Sequence, residues 1–258
     1  MFALRLAGLV FAVVGLSGCF VSADHGGSSG FSAHKSFDKQ FVGRIETVHI
    51  ANVAGFVHVD TWNKPGVHVS AVLSTSSADE LSNLNITASQ SGDTLTVKTD
   101  RPWSGFMGNQ SGRVDYTVHV PATTAVRIEE VSGAVAISNV RADLRVRNVS
   151  GDVKIVGAAS DLRVDTVSGD IDASLAKLAG PQVVSLHVVS GSTSLHIPAN
   201  ASAEVNAAST SGDFKSPLKI QVADQTVGMS AHGTIGTGEH ARVTLGSVSG
   251  SIRVDSKP

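Results

Sequence analysis

The tripeptide Val-Ser-Gly occurs at Val131-Ser132-Gly133, Val149-Ser150-Gly151, Val167-Ser168-Gly169, Val189-Ser190-Gly191 and Val248-Ser249-Gly250, with Thr210-Ser211-Gly212 a close variant. A period near 20 residues means that one supersecondary unit is made again and again, each copy burying its apolar face against the next. Indexed on the glycine, apolar residues recur seven and five positions before it, two before it, and two and four after it. Val126, Ile128, Val131, Val135 and Ile137 align with Leu144, Val146, Val149, Val153 and Ile155. The next copy holds Leu162, Val164, Val167, Ile171 and Ala173, and the last holds Val243, Leu245, Val248, Ile252 and Val254. Gly55 keeps all five slots without the serine, as Val48, Ile50, Val53, Val57 and Val59, whereas Gly233 is a degenerate copy with Ala231 and Ile235.

Successive glycines from Gly133 lie 18, 18, 22, 21, 21 and 17 residues apart, which suits either a β-solenoid coil or a repeated hairpin. In a hairpin meander, Ser-Gly would be the loop, and the valine two before the glycine would fall opposite the earlier apolar pair. In a solenoid a corner would turn that valine into the core. The five-slot pattern favours the solenoid. The glycine is then expected to supply a positive φ at the corner.

Elsewhere the chain alternates apolar and polar residues from Phe41 onward, as half-buried strands do, except at 77–84, which reads as one helical turn or a loop. The expected fold is all-β: a parallel β-helix or β-solenoid over 126–258, preceded by an N-terminal β subdomain over 41–125. That subdomain would cap the first coil, whose strand edges would otherwise lie open. Within it, Ser91-Gly92-Asp93 lacks the flanking apolar slots and reads as a hairpin turn. Low aromatic content and 26 glycines suit short strands joined by many turns.

The N-terminus places one charge, Arg5, before an apolar run from Leu6 to Leu16 and then small residues, the layout of a secretory signal peptide. The run is about half the ~20 residues a transmembrane helix needs. Leu16-Ser17-Gly18-Cys19 resembles the lipobox of bacterial lipoproteins. That resemblance implies cleavage after residue 18 and a lipid, palmitate-type chains included, on Cys19. The other reading is an ordinary cleavage site with a free thiol. Phe20 stands where Gram-negative sorting places an inner-membrane retention Asp, so the resemblance implies the outer membrane in such a cell. Residues 19–40, Gly/Ser-rich over much of their length, are expected to be a flexible tether spanning roughly 25 Å. Cys19 is the only cysteine, so no internal disulfide can form. Without residues 1–18 the chain keeps 19 basic residues against 22 acidic ones, a formal charge of −3, and nothing in that balance points to nucleic acid.

From about residue 43 to 258 the chain resembles the bacterial candidate adhesins of unknown function that carry tandem V-S-G-D-[VI] units. The matching stretches include 55–62, 92–97, Val120-Pro121 and Val167-Ser168-Gly169-Asp170-Ile171. The resemblance implies a β-helix-like fold, an envelope location and no established enzyme activity. The chain departs from the pattern where Ala134, Ser192 and Ser251 replace the Asp.

One Asp per coil (Asp152, Asp170, Asp213) is too sparse to surround a calcium ion and reads as turn chemistry. Six before the glycine, Arg127, Arg145 and Arg163 fall at equivalent positions, with Glu129, Arg147 and Asp165 two residues on. Stacked strands lie about 4.8 Å apart, so the guanidiniums would form an outward ladder. It reads either as a solvated, ion-paired face or as an anion or glycan contact formed by Arg127, Arg145, Arg147 and Arg163. His49, His58, His68, His119, His187 and His196 each sit between apolar residues and are expected to face outward, with no metal-ligand spacing among them. No zincin helix, Walker loop or dinucleotide fingerprint is present, and no cofactor is expected. The expectation is a non-catalytic envelope lipoprotein displaying a repetitive surface for adhesion or glycan contact. A glycan-acting β-helical enzyme built across coils, or a self-assembling structural element, are the alternatives.

Overall fold

The computed structural model describes residues 31–101, 112–224, 228–236 and 241–257, with a short backbone strand at 21–23. In chain order the strands begin with β1 (Val21–Ala23), β2 (Ala33–Phe41), β3 (Thr47–Trp62) and β4 (Val67–Thr75). The helical turn α1 (Ala78–Asn83) precedes β5 (Asn85–Ser91), β6 (Thr94–Asp100), β7 (Gly112–Pro121) and β8 (Ala125–Ser138). The repeats follow as β9 (Leu144–Ser150), β10 (Val153–Ala158), β11 (Leu162–Ser168), β12 (Ile171–Leu175), β13 (Val183–Ser190) and β14 (Thr193–Pro198). The chain closes with β15 (Ala203–Ser211), β16 (Phe214–Lys215), β17 (Gln221–Asp224), β18 (Met229–Ile235), β19 (Ala241–Ser249) and β20 (Ile252–Lys257).

The fold is all-β, a solenoid-like sheet in which each Ser-Gly corner joins a strand of one parallel stack to a strand of the other. Before the corner, the first half of β3, then β8, β9, β11, β13, β19 and β15, pair in parallel. After it, β7, the second half of β3, then β8, β10, β12, β14, β20 and β16, do the same. The register is that of the sequence repeat: Val126 faces Leu144, which faces Leu162, which faces Val184.

Four of the five expected apolar slots are core. Val126, Ile128, Val135 and Ile137 are buried, and so are their counterparts through Val243, Leu245, Ile252 and Val254. Removing such side chains from water stabilises the fold by about 1.5–3 kcal/mol each. The fifth slot is a correction. Val131, Val149, Val167, Val189 and Val248 point outward and stay 47–50% exposed. Alternation continues one step further than the apolar residues do, so the residue three before the glycine is the one turned inward. Two successive outward residues, Val and Ser, then reverse the parity at the corner.

The corner requires glycine for a reason the spacing does not reveal. Gly169 has φ +127°, and a Cβ there would overlap the carbonyl oxygen of Gly151 on the neighbouring rung. The same close approach links Gly133 to Gly55, Gly151 to Gly133, Gly191 to Gly169, Gly250 to Gly191 and Gly212 to Gly250. The following Asp caps the next rung: Asp152 Oδ1 accepts from Asp170 N–H at 2.9 Å, and Asp170 Oδ1 from Ser192 N–H at 2.7 Å.

That glycine column also gives the order of the rungs, which is not the order of the chain. β19 and β20 lie between β13/β14 and β15/β16, so the last repeat fills a slot that the chain skipped in running from β14 to β15. Gly233 is no rung corner. It sits within β18, which returns antiparallel along β15. β17 pairs antiparallel with β18 beyond that rung.

At the other end, β7 pairs antiparallel with β4 and β4 with β2. The β5–β6 hairpin turns at Gly92 and lays β6 parallel to β3. Part of the stretch expected to be tether is therefore strand, since Ala33–Phe41 forms β2 and buries Ala33 and Phe41. The helical turn is α1, where Ser77 accepts from Glu80 N–H.

Candidate functional site

The arginine column forms as the repeat predicts. Arg127 faces Arg145 across β8 and β9, and Arg145 faces Arg163 across β9 and β11. All three side chains are outward and exposed. Their neighbours on the next column divide them. Arg163 forks onto Asp165, its Nε at 2.9 Å and Nη2 at 3.1 Å from the carboxylate. Arg147 lies 3.7 Å from Glu129, which also has His49 at 3.8 Å. Arg127, Arg145 and Arg147 surround a pocket of about 230 Å³ together with His49, Thr47 and Thr94. Glu129 supplies its one carboxylate, against three guanidiniums. Arg163 lies outside the pocket. Arginine forks bind carboxylate, sulfate and phosphate oxygens in pairs.

Beside the pocket a groove of about 1140 Å³ runs across the rungs. One wall is the outward valine stripe, and the other carries Glu129, Arg147, Asp165 and His187. Soluble proteins seldom leave a contiguous apolar stripe open without a use for it. The sequence pattern missed this feature because it assigned those valines to the core.

Beneath the groove lies a buried, mostly polar column, the inward residues three before the corner glycines: Asn52, Glu130, Asn148, Thr166, Ser247 and Ser209, interrupted by Val188 on the Gly191 rung. Strict alternation from the two upstream apolar slots would have found it; the polar residue types concealed it. Asn148 Nδ2 donates to the carbonyls of Gly133 at 3.2 Å and Gly151 at 2.7 Å, tying two corners together. Asn52 does likewise to Ala54 and Val114, and its Oδ1 accepts from Thr99, whose hydroxyl also bonds Tyr116. Glu130 is 2% exposed, and neither carboxyl oxygen has a hydrogen-bond partner of good geometry. Burial pushes its carboxyl up to about 7, against weaker opposing pulls from the Asn52 amide and the backbone at Ser132 and Val131.

The histidines do face outward but are less scattered than their spacing suggests. His68 and His119 stack with Trp62, centroids 5.7–6.1 Å apart, and His68 Nε2 reaches Asp38 at 3.1 Å. His196 lies between Asp172 and Asp255. Burial pulls Asp255 upward, but the Arg253 and His196 partners outweigh it and hold the carboxyl below its usual range. Among the described residues no three His, Asp or Glu side chains converge as a metal site, and no helix is long and apolar enough to cross a membrane. Cys19, the expected lipid attachment point, lies outside the described residues.

The chain is similar in fold to a candidate cell adhesion protein from Clostridium sporogenes, with 11% identity and a TM-score of 0.51 over 86% of this chain and 100% of that one. Further matches are a candidate adhesin from Bacteroides fragilis (16% identity, TM-score 0.38, 85% and 97% of the two chains) and a candidate lipid-binding protein from Parabacteroides distasonis (13%, 0.36, 87% and 97%). No curated protein matches the chain. The family model for Toastrack DUF4097 matches residues 115–255, from β7 into β20, more than half of the chain; by that match the chain belongs to the Toastrack DUF4097 family.

Proposed function

We propose that this chain is a non-catalytic cell-envelope lipoprotein, held to a membrane through a lipid on Cys19, whose parallel β-helix-like stack presents an anion-reading face to acidic glycans or other envelope components. The observation that carries this reading is the register of Arg127 and Arg145 on adjacent rungs, with Arg147 at their side. The ladder fixes the backbones of Arg127 and Arg145 one rung apart, so a polyanion meets two guanidiniums anchored at a set spacing. The chain's formal charge of −2 shows that this is a local patch and not a generally cationic surface. An adhesin-like or surface role agrees with the description of the Clostridium sporogenes protein of similar fold.

The test is binding of acidic oligosaccharides to the full-length chain carrying Cys19→Ser. Retention should fall as salt rises, since exposed charge contacts are screened beyond about 8 Å at physiological ionic strength. It should be lost in Arg127→Ala/Arg145→Ala. Absence of binding at low salt sinks the anion reading, and release of cleaved product from an acidic polysaccharide sinks the non-catalytic one.

A further inference from the structure

The arginine pocket and the valine groove are continuous: Glu129 and Arg147 line both. The groove crosses seven rungs, from the Ala51 rung to the Thr210 rung. Six intervals of about 4.8 Å make it roughly 29 Å long. Its wall of Val131, Val149, Val167, Val189 and Val248 offers no hydrogen-bonding side chain until Thr210. The charged groups opposite have partners, Glu129 with Arg147 and His49 and Asp165 with Arg163, and the polar side chains of the floor, Asn148, Thr166 and Ser247 among them, are turned inward and buried.

These features discriminate among occupants. A sugar chain would set hydroxyls against valine methyls, and an extended peptide would bring backbone N–H and C=O groups to a wall whose own backbone is already bonded within the ladder. An alkyl chain has no such groups to leave unsatisfied. We propose that this surface binds a single-chain amphiphile, its anionic head among Arg127, Arg145 and Arg147 and its alkyl tail lying along the valine stripe toward Val248. The head placement rests on the anion reading given above; the tail is the new element. Charge complementarity orients the ligand, because the cationic pocket stands at one end of the groove, while Met229, Ser230 and Thr210 lie at the other.

Calorimetric titration of the full-length Cys19→Ser chain with octyl, decyl and dodecyl phosphate, each below its micellar concentration, tests the proposal, with inorganic phosphate and decanol as controls. An open groove covers about half of each methylene, so affinity should rise about twofold per added methylene, against about fourfold for full burial. Val149→Thr/Val167→Thr should flatten that dependence while leaving inorganic phosphate binding unchanged. Threonine already occupies this column at Thr210, so the exchange suits the fold. Arg127→Ala/Arg145→Ala should weaken all the phosphates alike. Equal affinity for octyl and dodecyl phosphate overturns the tail, even where inorganic phosphate and acidic glycans still bind and the anion reading stands. Decanol binding as tightly as decyl phosphate overturns the head placement.

Discussion

Glu130 and Asn148 occupy the same inward slot on adjacent rungs and face one another across β8 and β9; Asn148 Nδ2 has two partners, whereas its Oδ1 and both Glu130 carboxyl oxygens have none. The Asn148 amide donates to two glycine carbonyls, whereas an ionised Glu130 can only accept in a place where the exposed lone pairs belong to carbonyls. The consequence is a carboxyl that titrates near neutrality.

The pH dependence follows from that raised value. The unfolded carboxyl titrates near 4.5 and the folded one at about 7, so the folded state binds the proton more tightly. Stability from this group is complete below pH 4.5 and is lost as pH rises through 7. The loss amounts to about 3 kcal/mol at most. Glu130→Gln should abolish this fall, leaving the variant more stable than the parent at pH 8 and close to it at pH 4.5. Urea unfolding at both values checks it; a parent whose midpoint does not drop over that interval contradicts the assignment.

Gly169→Ala should cost more than glycine's ordinary conformational advantage. The new methyl meets the Gly151 carbonyl, which belongs to a laddered rung and cannot step aside, and the positive φ adds to the strain. A loss of about 3 kcal/mol or more is expected. Gly92→Ala is the contrast. Gly92 also has positive φ, but its added Cβ meets nothing within 4 Å, so the cost should stay near 1 kcal/mol. Thermal unfolding of the pair should rank them clearly; equal midpoints would show that close approach is not what the column requires.

The C-terminal repeat should behave as an interior rung. Leu245→Ala is expected to destabilise by about 2–5 kcal/mol, as much as Leu186→Ala on the strand it pairs with. A frayed terminal rung would lose far less. Hydrogen exchange gives a second readout: amides of β19 should be as protected as those of β13.

Cys19→Ser should release the chain from membranes, because the only cysteine is the only site for the proposed lipid. Fractionation after expression with the signal sequence decides this. A Cys19→Ser chain that still sediments with membranes is held by something other than that anchor.

Much of this architecture is already specified by the residues themselves. A parallel ladder aligned on one glycine per repeat repeats its register, so the spacing alone placed Val126 over Leu144 and Arg127 over Arg145, and four apolar slots sufficed to build the core. The tertiary structure decided three further matters. The corner turns by setting Val and Ser outward in succession, which opens the valine groove and sends Glu130 inward, and no local preference of valine announces that. Arg163 lies outside the arginine pocket, its fork on Asp165. The last repeat enters one rung early because repeats with the same pattern offer interchangeable edges. Loop closure grows only slowly more costly with length, so a distant copy can fill the slot that its sequence neighbour skipped. Which edge a repeat meets is a property of the assembled stack, and there the local pattern ceases to be informative.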